Sequence, residues 1–167
     1  LRDGITSPGC AAIDRGLVPT PVSYFAGHHL GTGSCVSVTG SHNPPDYNGI
    51  KMVVAGEAIW GDTIQSIKTR AESGDVKSGS GKQSAADIKQ AYIDRIVGDA
   101  KLARPMKIAV DCGNGAAGEL APKIFRAMGC EVVEMFCDID GNFPNHHPDP
   151  SKPENLEDLI KVVRETD

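Results

Sequence analysis

The stretch from Met106 to Phe136 permits few folds. An apolar strand pattern (Met106 to Cys112) runs into a glycine turn. A helix pattern (Ala116 to Met128) follows, closed by Gly129, and then a second strand (Cys130 to Phe136). A strand, a helix and a strand at this spacing return the chain parallel to itself through a right-handed crossover. Parallel strands bury both faces and are covered by helices, so this part of the chain reads as a layered α/β lobe.

The residues before it read as another such lobe. Cys10 to Ile13 is a strand. Thr20 caps a helix over Val22 to Leu30, with Pro21 at its first position and Gly31 closing it. Cys35-Val36-Ser37-Val38-Thr39 alternates at period two with β-branched residues, and Ile50 to Ala55 is a second apolar β-rich run. A helix from Asp62 places Ile64, Ile67 and Ala71 on one face and stops at Gly74. After the flexible Ser78-Gly79-Ser80-Gly81, Ser84 caps a helix whose apolar face holds Ile88, Ala91, Tyr92 and Ile96.

Register changes near Ala103-Arg104-Pro105. Beyond the β-α-β unit, a last helix starts near Pro153 with Leu156, Leu159, Ile160 and Val163 as its buried stripe. Glu154, Glu157 and Asp158 sit early in it and Lys161 and Arg164 late, as the helix dipole favours. The expectation is an α/β protein of two lobes, residues 1–101 and 102–167, each a sheet flanked by helices. Both lobes read as incomplete: the chain opens on Leu1 without a Met and stops at Asp167 inside a helix pattern.

Composition narrows the class. Hydrophobic residues make up 40% and charged residues 23%, enough for a buried core. The net charge of −5 gives no electrostatic reason to expect nucleic acid or an anionic membrane as partner. No apolar run approaches the roughly 20 residues of a membrane helix. Cys10, Cys35, Cys112, Cys130 and Cys137 are odd in number and contain no C-x-x-C pair, so they read as buried free thiols in a reducing cytoplasm.

Between two strands lies Gly40 to Gly49. Ser41 follows a strand end and a glycine, a position that projects a hydroxyl into a crevice. Gly40 brings amide donors close to an anion, and Pro44-Pro45 stiffen the exit. His42 and Asn43 add donors, and Lys51 is near enough for its ammonium to fold back over the loop. One nucleophilic oxygen, several donors and a point cation suit a phosphate.

Thr39-Gly40-Ser41-His42-Asn43-Pro44-Pro45-Asp46-Tyr47-Asn48-Gly49-Ile50-Lys51 resembles the phosphoserine loop of the α-D-phosphohexomutases, in their bacterial phosphomannomutase/phosphoglucomutase branch. Gly16-Leu17-Val18-Pro19-Thr20-Pro21 is similar to the segment preceding that loop. Asp111-Cys112-Gly113-Asn114-Gly115 resembles the opening of the second domain. Asp140-Gly141-Asn142-Phe143-Pro144-Asn145-His146-His147-Pro148-Asp149-Pro150 resembles the stretch leading towards the metal loop.

The resemblance implies three-layer α/β/α lobes with mixed sheets. It also implies reversible phosphoryl transfer between hexose 1-phosphate and hexose 6-phosphate through a hexose 1,6-bisphosphate. Ser41 would be donor and acceptor of the phosphoryl group, Lys51 a phosphate clamp, His42 a proton shuttle or loop-positioning group, and Asn43 a support for the serine phosphate. A neighbouring dianion favours the charged form of Lys51 and His42, which makes Lys51 a poor general base. Mg²⁺ would contact the Ser41 phosphate and the aspartates of an Asp-Gly-Asp-x-Asp-Arg loop, a loop these residues do not contain. The 167-residue chain alone is therefore expected to be inactive.

Two rival classes share the same residues. Gly113-Asn114-Gly115-Ala116-Ala117-Gly118 fits G-x-G-x-x-G between a strand and a helix, with Asp138 further on, the fingerprint of a dinucleotide-binding oxidoreductase. A fragment that binds sugar phosphates without catalysis is the other. His146 and His147 diverge as neighbours and form, with Asp149, at most a loose metal site; a loop lining the cleft is favoured over that, and an exposed loop is expected ahead of both. His28 and His29 are expected to bond free carbonyls at a helix end. Cys112, after an apolar strand, is expected to be buried and unreactive.

Overall fold

The computed structural model describes residues 1–166; Asp167, where the last helix pattern stops, lies outside the described residues. The first lobe opens with a short helix α1 (Arg2–Thr6), followed by strand β1 (Ala12–Asp14) and helix α2 (Thr20–His29). Strands β2 (Cys35–Val38), β3 (Ile50–Val54) and β4 (Glu57–Ala58) form an antiparallel sheet in the order β2-β3-β4. Helix α3 (Asp62–Glu72) precedes strand β5 (Gln83–Ala85), which pairs parallel with β1 from Ala12↔Gln83 to Asp14↔Ala85.

Helix α4 (Lys89–Asp99) leads to the second lobe. There β6 (Lys107–Asp111) and β7 (Glu131–Met135) pair parallel across helix α5 (Ala121–Ala127), as the β-α-β pattern requires. A 3-10 turn (Pro153–Leu156) and helix α6 (Glu157–Glu165) close the described chain, with α6 packed on β6 and α5 on β7.

Several local expectations are corrected. Thr20 is already helical and does not cap α2: Pro19 holds the N-cap position in extended conformation, without a side-chain cap bond. Ser84 does not cap a helix either. It lies in β5, where Ala12 N–H bonds to the Lys82 carbonyl and Ala86 N–H to the Asp14 carbonyl. The first amide of α4, at Lys89, is met by Asp87 Oδ1 at 3.0 Å. Helix α5 begins at Ala121 rather than Ala116. Gly118 and Leu120 N–H instead bond three residues back, to the Gly115 and Ala117 carbonyls, making tight turns.

Leu156 of the 3-10 turn and Leu159 and Val162 of α6 are partly buried while Ile160 and Val163 stay exposed, because a two-stranded sheet covers only part of so wide an apolar stripe. Cys10 is exposed, Cys112 and Cys137 are half-buried, and only Cys35 and Cys130 are buried; all are free.

The core lies where the lobes meet. Val22 and Ala26 of α2, Ile88 and Ile93 around α4, and Leu120 before α5 form one buried cluster, with Phe25 and Tyr92 packed edge to face at its rim. Lys89 on α4 pairs with Glu119, which also takes Lys123 of α5. Helix α4 therefore ties the first lobe to the second and holds their facing surfaces in place.

Candidate functional site

Strands β2 and β3 form a ladder from Cys35↔Val53 to Val38↔Ile50, and Thr39 N–H extends it to the Gly49 carbonyl at 2.9 Å. The ten residues Gly40 to Gly49 thus project from a closed neck. Gly40 sits so tightly over the loop's return that a Cβ there would lie 2.8 Å from the Tyr47 carbonyl oxygen. Ser41 occupies the left-handed region at φ 55°, unusual for a residue with a Cβ. Its N–H is fixed by Thr39 Oγ1 at 2.9 Å. Asn43 donates both its backbone N–H, at 3.1 Å, and its Nδ2, at 2.8 Å, to the Gly40 carbonyl. The loop is self-bonded, and the Ser41 side chain is exposed at its tip.

The tip meets the second lobe. His42 Nδ1 donates to the Pro148 carbonyl at 2.5 Å, and His147 Nε2 donates to the His42 carbonyl at 2.7 Å. Beneath them His146 donates from Nε2 to Asp111 Oδ2 and from Nδ1 to the His147 carbonyl, both at 2.9 Å. Asp111 is almost fully buried, and its other oxygen accepts the Gly113 N–H at 2.8 Å. Burial works against a charged His146 ring, but the His147 carbonyl and the Asp111 carboxylate outweigh it and hold the ring's pKa above the usual histidine value. The exposed loop expected at His146-His147 is thus corrected for His146, whose side chain is only 16% exposed.

A cleft of about 710 Å³ opens between the lobes, of a size that suits a small-molecule ligand. Thr39, Ser41, His42 and Asn43 line it from the first lobe; Gly113, Asn114 and His146 line it from the second.

The glycine turn at its far wall is already filled. Gly113 N–H goes to Asp111, Asn114 N–H to the Phe136 carbonyl, Gly115 N–H to the Cys112 carbonyl and Gly118 N–H to the Gly115 carbonyl. Asn114, buried and at φ 56°, donates from Nδ2 to the Asp138 carbonyl and accepts from Asn145 Nδ2, each at 2.8 Å. Four of the turn's amides, at Gly113, Asn114, Gly115 and Gly118, are spent on the fold, and a Cβ on Gly118 would lie 1.9 Å from the Cys137 oxygen. The glycines serve helix–strand packing, so this geometry removes the basis of the dinucleotide reading.

Ser41, His42 and Asn43 are brought together as expected of one loop. Lys51 stands across the hairpin from Ser37, exposed, and is not among the residues lining the cleft. Ser37 and Val38, successive residues on opposite faces of β2, both line the cleft, so pairing with Ser37 does not bring the Lys51 side chain into it. His29 stacks on Phe25, with ring centroids 5.0 Å apart, rather than bonding a carbonyl. Burial, and then a hydrogen bond with Cys137, push the Cys112 thiol up to about 12, so it carries no nucleophile at neutral pH. The contacts of Asp111 with His146, of Asn114 with Asp138 and Asn145, and of His147 with His42 were not legible in the sequence, because these partners are distant along the chain.

Among the described residues no three His, Cys, Asp or Glu side chains gather as cation ligands. The cleft's carboxylates are also engaged: Asp111 by His146 and Gly113, and Asp149 by the N–H and hydroxyl of Ser151. These residues do not by themselves fit a Mg²⁺ site.

Comparison with known proteins agrees with this geometry. The family described as phosphoglucomutase/phosphomannomutase, alpha/beta/alpha domain I, matches residues 1–77, and domain II of the same family matches residues 90–167. The chain is 53% identical over 166 residues to a phosphomannomutase/phosphoglucomutase of Pseudomonas putida, covering 99% of this chain and 36% of that protein. It is 47% identical over 169 residues to a phosphoglucomutase of Neisseria gonorrhoeae, covering 100% of this chain and 37% of that one. A crystal structure of a phosphoglucomutase/phosphomannomutase family protein from Burkholderia thailandensis superposes with a TM-score of 0.91 at 50% identity, over 97% of this chain and 37% of that one. The chain thus spans little more than a third of the length of the relatives it matches. With a self-bonded serine loop facing a glycine-turn wall across a cleft, these residues belong to the phosphoglucomutase/phosphomannomutase family and carry sequence of its α/β/α domains I and II.

Proposed function

We propose that the protein carrying this chain is a cytoplasmic hexose-phosphate mutase in which Ser41 stores the transferable phosphoryl group. The observation that carries the reading is the placement of Ser41: a hydroxyl held in a strained, hydrogen-bonded turn at the mouth of a cleft lined by two lobes. The phosphoserine gives its phosphoryl group to a hydroxyl of a hexose monophosphate, breaking the Ser41 O–P bond and forming a hexose 1,6-bisphosphate. The bisphosphate turns over, and its other phosphoryl group returns to the Ser41 oxygen, leaving the isomeric monophosphate.

In this scheme His42 keeps the loop against the second lobe through Nδ1. In the neutral ring this leaves an Nε2 lone pair for the proton of the attacking hydroxyl. Lys51, on the strand that follows the loop, folds back over it to the phosphate as a point charge, and Asn43 shapes the turn that presents it. Bound Mg²⁺ would neutralise charge on the transferring group, held by the Ser41 phosphate and by aspartates beyond these residues. Residues 1–101 and 102–167 form the two domain portions, and catalysis belongs to the full-length protein.

The test is incubation of the full-length protein with hexose 1,6-bisphosphate, followed by intact mass and peptide mapping. One added phosphoryl group on Ser41 is expected, and Ser41→Ala loses both the modification and mutase turnover. A modification elsewhere, or none, overturns the assignment.

A further inference from the structure

Cavities, thiols, exposed apolar faces and charged clusters outside the serine loop leave one arrangement with a chemical consequence. Three consecutive hydrogen bonds run from the buried end of β6 to the residue beside Ser41. Asp111 holds His146, His146 holds the His147 carbonyl, and the His147 ring holds the His42 carbonyl. The return bond, from His42 Nδ1 to the Pro148 carbonyl, closes a clasp between the lobes.

The protonation of each ring follows from its partners. Carbonyl and carboxylate oxygens only accept, so both nitrogens of His146 donate and its ring is an imidazolium on the Asp111 carboxylate. Its cationic ring is packed below Gly113, where an added Cβ would meet His146 Cε1 at 3.4 Å and Pro148 Cβ at 3.4 Å, so the ring has little room to turn. His147 is exposed and outside the cleft's lining. Its Nε2–H nevertheless fixes the peptide carbonyl one residue from the Ser41 oxygen.

We propose that His147 is a positioning residue for phosphoryl transfer: anchored by the Asp111–His146 pair, it pins the His42 carbonyl and thereby sets where the Ser41 oxygen sits in the cleft. The proposal rests on the mutase reading above. Positioning of this kind acts on the transfer step and not on sugar binding, since a nucleophile displaced by about 1 Å can cost about 100-fold in rate.

The test uses the full-length protein with His147→Leu and His147→Gln. Leu keeps the bulk and removes the donor; Gln restores an N–H near the position of Nε2. Expected in the Leu variant are a kcat lower by about 10-fold or more and a KM for hexose monophosphate close to wild type. Phosphorylation of Ser41 by hexose 1,6-bisphosphate should slow in parallel. The Gln variant should recover most of the loss, which a merely structural role would not produce.

A Leu variant with wild-type kcat overturns the proposal. So does a Gln variant as impaired as Leu, or a KM that rises with kcat unchanged. If wild-type protein neither turns over nor becomes phosphorylated, the mutase reading itself has failed. The clasp is then judged by amide hydrogen exchange over residues 39–49: faster exchange in Leu than in wild type and Gln supports it, and equal exchange overturns it.

Discussion

At Ser41 a φ of 55° holds a side chain with a Cβ where such residues are disfavoured by about 1–2 kcal/mol. That conformation persists because the neighbours over-determine it: Thr39 Oγ1 takes the serine amide, and Asn43 takes the preceding carbonyl. His146 shows the opposite logic, a charge stabilised by buried partners. Asp111 and the His147 carbonyl face it directly, Asp158 adds a more distant negative charge, and Phe136 packs against the ring. Its folded pKa lies above the ordinary value of 6.5, so its contribution to stability is complete below that value and is lost as pH rises through the folded pKa. The difference in urea midpoint between wild type and His146→Gln should therefore shrink as pH is raised from about 6 through neutrality and beyond. A difference that grows with pH would mean that the ring is neutral in the fold.

Among elements, the β6–turn–α5–β7 unit was legible because its signals are local: an apolar strand, glycines, a helix period and a closing Gly129. Its helix start was not legible. Whether Ala116 to Leu120 coil as helix or as tight turns depends on how closely Gly118 is drawn to Cys137, a contact made across the whole crossover. Gly118→Ala would place a Cβ 1.9 Å from a backbone oxygen that cannot rotate away. The expected cost is about 3 kcal/mol or more, read as a lower urea midpoint with an unchanged slope. The short β5 was missed for a related reason. Gln83-Ser84-Ala85 is weakly patterned, and only pairing with β1, 71 positions earlier, makes it a strand.

At the scale of the molecule, one buried cluster spans both lobes: Val22 and Ala26, Ile88 and Ile93, and Leu120. Leu120 is 2% exposed at the junction, so Leu120→Ala should cost about 3 kcal/mol and loosen both lobes together. Hydrogen exchange should then accelerate in α2 as well as in β6 and β7; acceleration confined to the second lobe would show that the lobes unfold independently. This shared core matters to the site, because it holds the serine loop and the histidine turn at bonding distance across the cleft.

The residues alone determined the serine loop, its two strands and the parallel β-α-β unit, since strand alternation, turn composition and helix period act over a few neighbours. They also carried the family likeness on which the proposal for Ser41 rests. Only the tertiary structure decided what surrounds it. Asp111 finds His146 across 35 positions and His42 finds Pro148 across 106. Such pairs form when packing closes the chain on itself, and no local pattern of residue types announces which distant donor will meet which acceptor.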